Sequence, residues 1–119
     1  MRIITTSKEL TAPEIYFLTM SPAAQKMKDK KDDEIEVSAF CLYEDAVKKE
    51  GETTGENQQI LSILTNDGEI YATNSPTFID DFMKMWELFG SMNHPITAIR
   101  VIGGKSKKDR EYITCTFSR

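Results

Sequence analysis

The sequence is short of the residues that most often carry chemistry. Its 119 residues include one histidine and two cysteines. A structural zinc site takes about four Cys or His ligands, so neither a metal nor a cofactor is expected. Cys41 and Cys115 lack C-x-x-C spacing, and each falls inside a strand-like pattern. Reduced, buried thiols are the expectation, not a disulfide scaffold. His94 stands between Asn93 and Pro95 with no second histidine or cysteine beside it. A glycine-rich phosphate loop and a nucleophile elbow are both missing. Asp80 and Asp81 are adjacent on a predicted helix, so they point about 100° apart and do not share one ion. No catalytic residues are assigned and an enzyme is not expected. There is also no run of about 18 apolar residues to cross a membrane. The first residues lack the apolar core and cleavage site of a leader, so a cytosolic chain is the expectation.

What is present suffices for a single domain over 1–119. The chain is 39% hydrophobic and 29% charged, which supports a packed core at a typical domain length. Residues 2–6 read as extended. Thr11 and Glu14 have capping-box spacing and open a helix. Ser21-Pro22 predicts a restarted helical turn to about Lys28, and residues 28–33 read as a mixed-charge solvated linker. Residues 34–44 alternate with period two, a long strand with Ile35, Val37, Ala39, Cys41 and Tyr43 on its buried face. Its other face starts acidic but carries Phe40 and Leu42, to be covered by the N-terminal helix, a partner subunit or a ligand. Residues 46–58 read as an exposed connection. Ile60 to Leu64, the Asp67-Gly68 turn and Ile70 to Thr73 form a hairpin. Ser75-Pro76 opens a helix with an apolar stripe of Phe78, Phe82, Met85, Trp86 and Phe89. A last hairpin follows, with strands near 96–102 and 111–117 and a tip at 103–110.

Three strands, a helix and two strands is the order of an OB-fold. The expectation is therefore mainly β: a five-stranded barrel over 34–117, a helix between strands 3 and 4, and an N-terminal helical extension over 1–31. A split α+β sandwich uses the same elements.

The net charge of −4 is an average over two opposed regions. Residues 96–119 hold six basic and two acidic residues, a balance of +4, and residues 1–95 hold nine and seventeen, a balance of −8. In an OB-fold the basic hairpin tip flanks the ligand face. Single-stranded nucleic acid offers a charged backbone and unpaired bases, which call for basic groups and aromatic platforms. Lys105, Lys107, Lys108 and Arg110 on the tip, with Arg100 below it, supply the first. Tyr71, Tyr112 and Phe40, taken as outward on their strands, supply the second. Gly103 and Gly104 are expected to let the hairpin bend. The competing reading is an acidic protein-interaction module that binds a protein factor.

Three segments carry a resemblance: Met1-Arg2-Ile3-Ile4-Thr5-Thr6-Ser7-Lys8-Glu9-Leu10-Thr11, Ile70-Tyr71-Ala72-Thr73-Asn74-Ser75, and Gly104-Lys105-Ser106-Lys107 with Arg110-Glu111-Tyr112-Ile113-Thr114-Cys115. On these the chain resembles the single-stranded-DNA-binding proteins of bacteriophages infecting Gram-positive bacteria, the lactococcal type in particular. The resemblance implies an OB-fold, homo-oligomers such as dimers or tetramers, and sequence-independent binding of single-stranded DNA in phage replication or recombination. It also implies the host bacterial cytoplasm and contacts with phage replication or recombination proteins. Cellular bacterial counterparts recruit partners through an acidic tail; here Phe117-Ser118-Arg119 follow a strand directly, so docking is expected to use the folded body or the acidic N-terminal region.

Overall fold

A computed structural model describes residues 1–47 and 56–118. The described elements run β1 (Arg2–Thr6), α1 (Ala12–Thr19), β2 (Gln25–Lys26), a 3-10 turn (Met27–Lys30), β3 (Glu34–Glu36), β4 (Ala39–Val47), β5 (Glu56–Leu64), β6 (Ile70–Thr73), α2 (Pro76–Ser91), β7 (Ala98–Lys105) and β8 (Glu111–Phe117). The fold is mainly β. Of the predicted 46–58 connection, residues 48–55 lie outside the described residues, and those flanking them belong to β4 and β5.

The strands form a five-stranded sheet in the order β1-β4-β5-β6-β2 and a three-stranded sheet in the order β3-β7-β8. All pairs are antiparallel except β2 with β6. The predicted strand over 34–44 is thus two strands separated at Val37-Ser38. β3 pairs with β7, with Ile35 opposite Ile99, and β4 pairs with β5, with Leu42 opposite Leu61. One bent stretch of chain therefore serves both sheets.

The expected barrel does not close among the described residues. The free edge of β6 is taken by β2, where Gln25 and Lys26 pair in parallel with Tyr71 and Ala72. The 21–28 stretch is accordingly not the helical turn that Ser21-Pro22 predicted. The Ser21 hydroxyl accepts from the Ala23 N–H at 3.1 Å, which makes a local turn, and the chain then extends along β6. Residues 1–31 contribute β1 and β2 to the sheet as well as a helix.

Both faces of β4 are buried. On one, Cys41 and Tyr43 pack with Leu18 of α1 and Ile70 of β6. On the other, Phe40 and Leu42 join the main core with Phe78, Phe82, Ile63 and Met27. The cover on the Phe40 face is therefore α2 of the same chain. Phe40 meets Phe82 and Trp86 edge-on at centroid distances of 5.0 and 4.8 Å. α2 starts as its sequence predicts: the Ser75 hydroxyl accepts from the Phe78 N–H and Pro76 opens the first turn, where its missing N–H costs nothing. α1 has the predicted capping box at Thr11 and Glu14. Bonds from the Thr11 backbone N–H, then from its hydroxyl, hold the Glu14 carboxyl below its ordinary range against a small opposing effect of burial. At the Asp67-Gly68 turn, Gly68 takes φ 87°, a conformation that glycine adopts without steric cost.

Candidate functional site

Five of the eight residues singled out in the sequence come together at one end of the three-stranded sheet. Lys105, Lys107, Lys108 and Arg110 are exposed on the β7–β8 hairpin. Its tip is closed by the Ser106 N–H donating to the Arg110 carbonyl at 2.9 Å, with Asp109 in a left-handed conformation. Lys105 Nζ lies 3.7 Å from Asp109 Oδ1. That is an exposed pair, worth little and easily exchanged for another anion. Tyr112 stands at the base of the tip, 39% exposed, directly across from Gly104.

The other three residues lie elsewhere. Arg100 pairs in register with Thr116, four positions down the sheet from Gly104 and Tyr112, a separation of about 13 Å at 3.3 Å per residue. Its guanidinium donates to the Asp32 carbonyl at 2.9 Å. Phe40 is fully buried and Tyr71 is 3% exposed, so neither presents a ring to solvent. The expectation of outward rings fails at both positions: α2 covers Phe40, and Tyr71 lies in the core cluster that holds Met27, with Lys30 over its ring. The Tyr71 hydroxyl donates to Glu69 at 2.6 Å, and Lys30 Nζ sits 5.3 Å from the ring centroid. Burial above all pushes the Tyr71 hydroxyl up, and contact with that hydroxyl pushes the Lys30 ammonium up.

Gly103 and Gly104 are regular members of β7, paired with Ile113 and Tyr112, and are not a flexible entry to the tip. Side chains lie over both of them. A Cβ at Gly103 would meet Lys31 Cε at 2.1 Å, and one at Gly104 would meet the Tyr112 ring at 2.7 Å. The Tyr112 ring thus rests on a flat backbone bed, held in place from one side and open on the other.

Beside Tyr112 the two sheets leave a groove of about 1010 Å³ between β6 and β8. One wall is Glu111, Tyr112 and Ile113 of β8. The rim continues along the segment from β2 through the 3-10 turn, with Lys26, Lys28 and Lys31, and the Lys31 stem reaches β7 at Gly103. The end of β6 and the first turn of α2, from Thr73 to Thr77, form the floor. The floor is tied to β8 by the Ser75 hydroxyl donating to the Ile113 carbonyl at 3.4 Å. The positive end of the α2 dipole also lies here. Three lysines line the groove against Asp29 and Glu111, so its balance is basic in a chain whose first 95 residues are acidic overall.

The lysine wall is what the sequence reading missed, because Lys26 fell in the predicted helical turn and Lys28 and Lys31 in a segment read as a solvated linker. The signal was present in Lys26-Met27-Lys28. Met27 is fully buried in the main core, and a buried apolar anchor between two lysines fixes where both of them point.

Among the described residues, no group of three or more His, Cys, Asp or Glu side chains is placed to hold a metal ion. No helix is long and apolar enough to cross a membrane. Comparison with curated proteins and with solved structures finds no match to this chain. The model of one protein family, described as phage single-stranded DNA-binding protein, matches residues 5–118. With nearly its whole length matched, and with a basic hairpin and an open aromatic ring beside a groove, the chain belongs to the family of phage single-stranded DNA-binding proteins.

Proposed function

We propose that this protein binds single-stranded DNA without sequence preference, through the β7–β8 hairpin and Tyr112, and that it does so in phage DNA replication or recombination inside the bacterial host. The observation that carries this reading is the juxtaposition of Lys105, Lys107, Lys108 and Arg110 with an open tyrosine ring at their base. Exposed cations gain by displacing counterions from a phosphate backbone. A ring with one free face stacks any base, since every base has a π-face. Both contacts ignore sequence. The role is non-catalytic binding, with the whole of 1–119 acting as one domain.

The strand order supports an OB-type Greek key opened along one seam. β3 and β4 act as a single first strand that pairs with β5 on one side and β7 on the other, and α2 follows the third strand of the meander. We also propose a homo-oligomer. Phe40 and Leu42, which first motivated it, are buried within the chain, but among the described residues no strand pairs with the outer edge of β1, and Ile3 and Ile4 are exposed on it. Light scattering at micromolar concentration that finds only the 13.6 kDa species would remove that part.

The test of the main reading is a titration with labelled oligo-dT at several salt concentrations. Affinity is expected to fall steeply with salt, and replacing Lys105, Lys107 and Lys108 together by Gln is expected to flatten the slope. Absence of binding at low salt overturns the reading. Exposed Tyr16, Phe17 and Met20 on α1 favour a protein contact as the second reading. It gains if charge reversals in 29–56 abolish activity and reversals in 103–110 do not.

A further inference from the structure

Lysines reach the groove between β6 and β8 from a part of the chain distant from the hairpin. Lys26, Lys28 and Lys31 are all exposed and all line it. Their placement is built in. Met27 is locked in the core between Lys26 and Lys28, Lys26 is held by the parallel pairing of β2 with β6, and the stem of Lys31 lies across the bare backbone of Gly103. The next lysine, Lys30, is turned away onto Tyr71. Below the lysines the walls carry Ile60, Ala72 and Ile113, and the polar amide of Asn74 lies among them. A passage with cations on its rim and mixed apolar and amide groups inside suits a polymer with charge on one side and flat heterocycles on the other. A duplex shows its charged backbone outward on both strands and keeps its bases inside.

We propose that the 26–31 segment is a second jaw for single-stranded nucleic acid. Lys26, Lys28 and Lys31 contact the phosphate backbone along the rim of the groove beside the hairpin, so that the strand lies along the open seam between the two sheets. This rests on the single-strand-binding reading and adds a site to it. Lys26 belongs to the five-stranded sheet and the hairpin to the three-stranded one, and the strand passes between them where β6 and β8 do not pair.

The experiment compares two triple variants with the wild type, using labelled oligo-dT and a duplex of equal length over a series of salt concentrations. One variant is Lys26→Gln, Lys28→Gln and Lys31→Gln; the other is Lys105→Gln, Lys107→Gln and Lys108→Gln. Each phosphate contact on a single strand contributes about 0.7 to the salt slope. The jaw triple is therefore expected to lower the slope by about two, and combining the triples is expected to lower it by about four. A jaw triple with the affinity and slope of the wild type, beside a hairpin triple that is impaired, overturns the second jaw and leaves the reading of the hairpin standing. A wild type that binds no oligo-dT overturns the reading itself. A jaw triple that loses duplex binding as strongly as oligo-dT binding overturns the assignment to single strands. The three lysines are exposed and β2 pairs through its backbone, so the fold is expected to survive. Should the triple fail to fold, Lys28→Gln and Lys31→Gln singly make the same comparison at about 0.7 each.

Discussion

Tyr112 offers the sharpest separation of stacking from charge. Its ring lies against Gly104 on one side and is 39% exposed, so Tyr112→Ala removes a platform without opening the core. Stacking of a base on an aromatic side chain is worth about 1–3 kcal/mol. At about 1.4 kcal/mol per decade, Tyr112→Ala is expected to raise the Kd for oligo-dT about 5- to 150-fold. No charge is lost, so the dependence of log K on log salt is expected to keep the slope of the wild type. Tyr112→Phe keeps the ring and loses only the hydroxyl; its Kd is expected within about twofold of the wild type if stacking is the contact. The assay is the same oligonucleotide titration, with the thermal melt of each variant run beside it, since a surface change of this kind shifts stability by about 0.5 kcal/mol or less. An alanine variant that binds as tightly as the wild type refutes the stacking role. An equal loss in the phenylalanine variant refutes it too, and assigns the contact to the hydroxyl.

Phe40→Ala is expected to cost about 3–5 kcal/mol of stability, because the ring is fully buried between Phe82 and Trp86; urea denaturation reads this, and a cost below about 1 kcal/mol contradicts the described core. Burial, with a lesser effect from Asp81, pushes the Cys115 thiol up to about 12, and burial raises Cys41 also. A thiol reagent at about pH 8 is expected to label neither in the native protein and both in denaturant, since reaction needs the thiolate; rapid native labelling refutes this. Glu14 has a depressed pKa in its capping box, so its contribution is present above its unfolded pKa and lost as pH falls through the folded value. The stability of the wild type is expected to decline relative to Glu14→Gln below the ordinary carboxylate range, because glutamine keeps the capping geometry without titrating. Melting curves between about pH 6 and pH 3 that run parallel for the two proteins count against this.

Local signals were legible in the sequence where one residue decides one contact. Thr11 with Glu14, Ser75 with Pro76, and Asp67-Gly68 each mark a cap or a turn that the structure contains. Charge segregation likewise located the hairpin. Faces were less legible. Alternation in 34–44 separates two sides of a strand, but Phe40 and Leu42 are covered by a helix that starts more than thirty residues later, and period two does not say which side such a helix will take. Tyr71 was misplaced as well, since it lies in the core cluster that holds Met27, with Lys30 over its ring. The lysine wall was hidden for a different reason. Lys26, Lys28 and Lys31 gain a common direction only through the burial of Met27 and the two-residue pairing of β2 with β6, an interaction too short to leave a periodic pattern.

The bent stretch that serves both sheets also orders the events of folding. β4, β5 and β6 pair as neighbours along the chain, and such pairings cost less loop-closure entropy than distant ones. β3 waits for strands far along the chain: the Ser118 hydroxyl that donates to Glu34 lies 84 residues away from it. During synthesis the meander is complete while β7 and β8 are still to be made, and the three-stranded sheet can assemble only afterwards. Both walls of the groove depend on that late sheet, one because it is β8 and the other because Lys31 rests on β7 at Gly103. The surface proposed to hold DNA therefore depends on the last strands to be made, and so does the main core, to which Ile99, Val101 and Cys115 contribute.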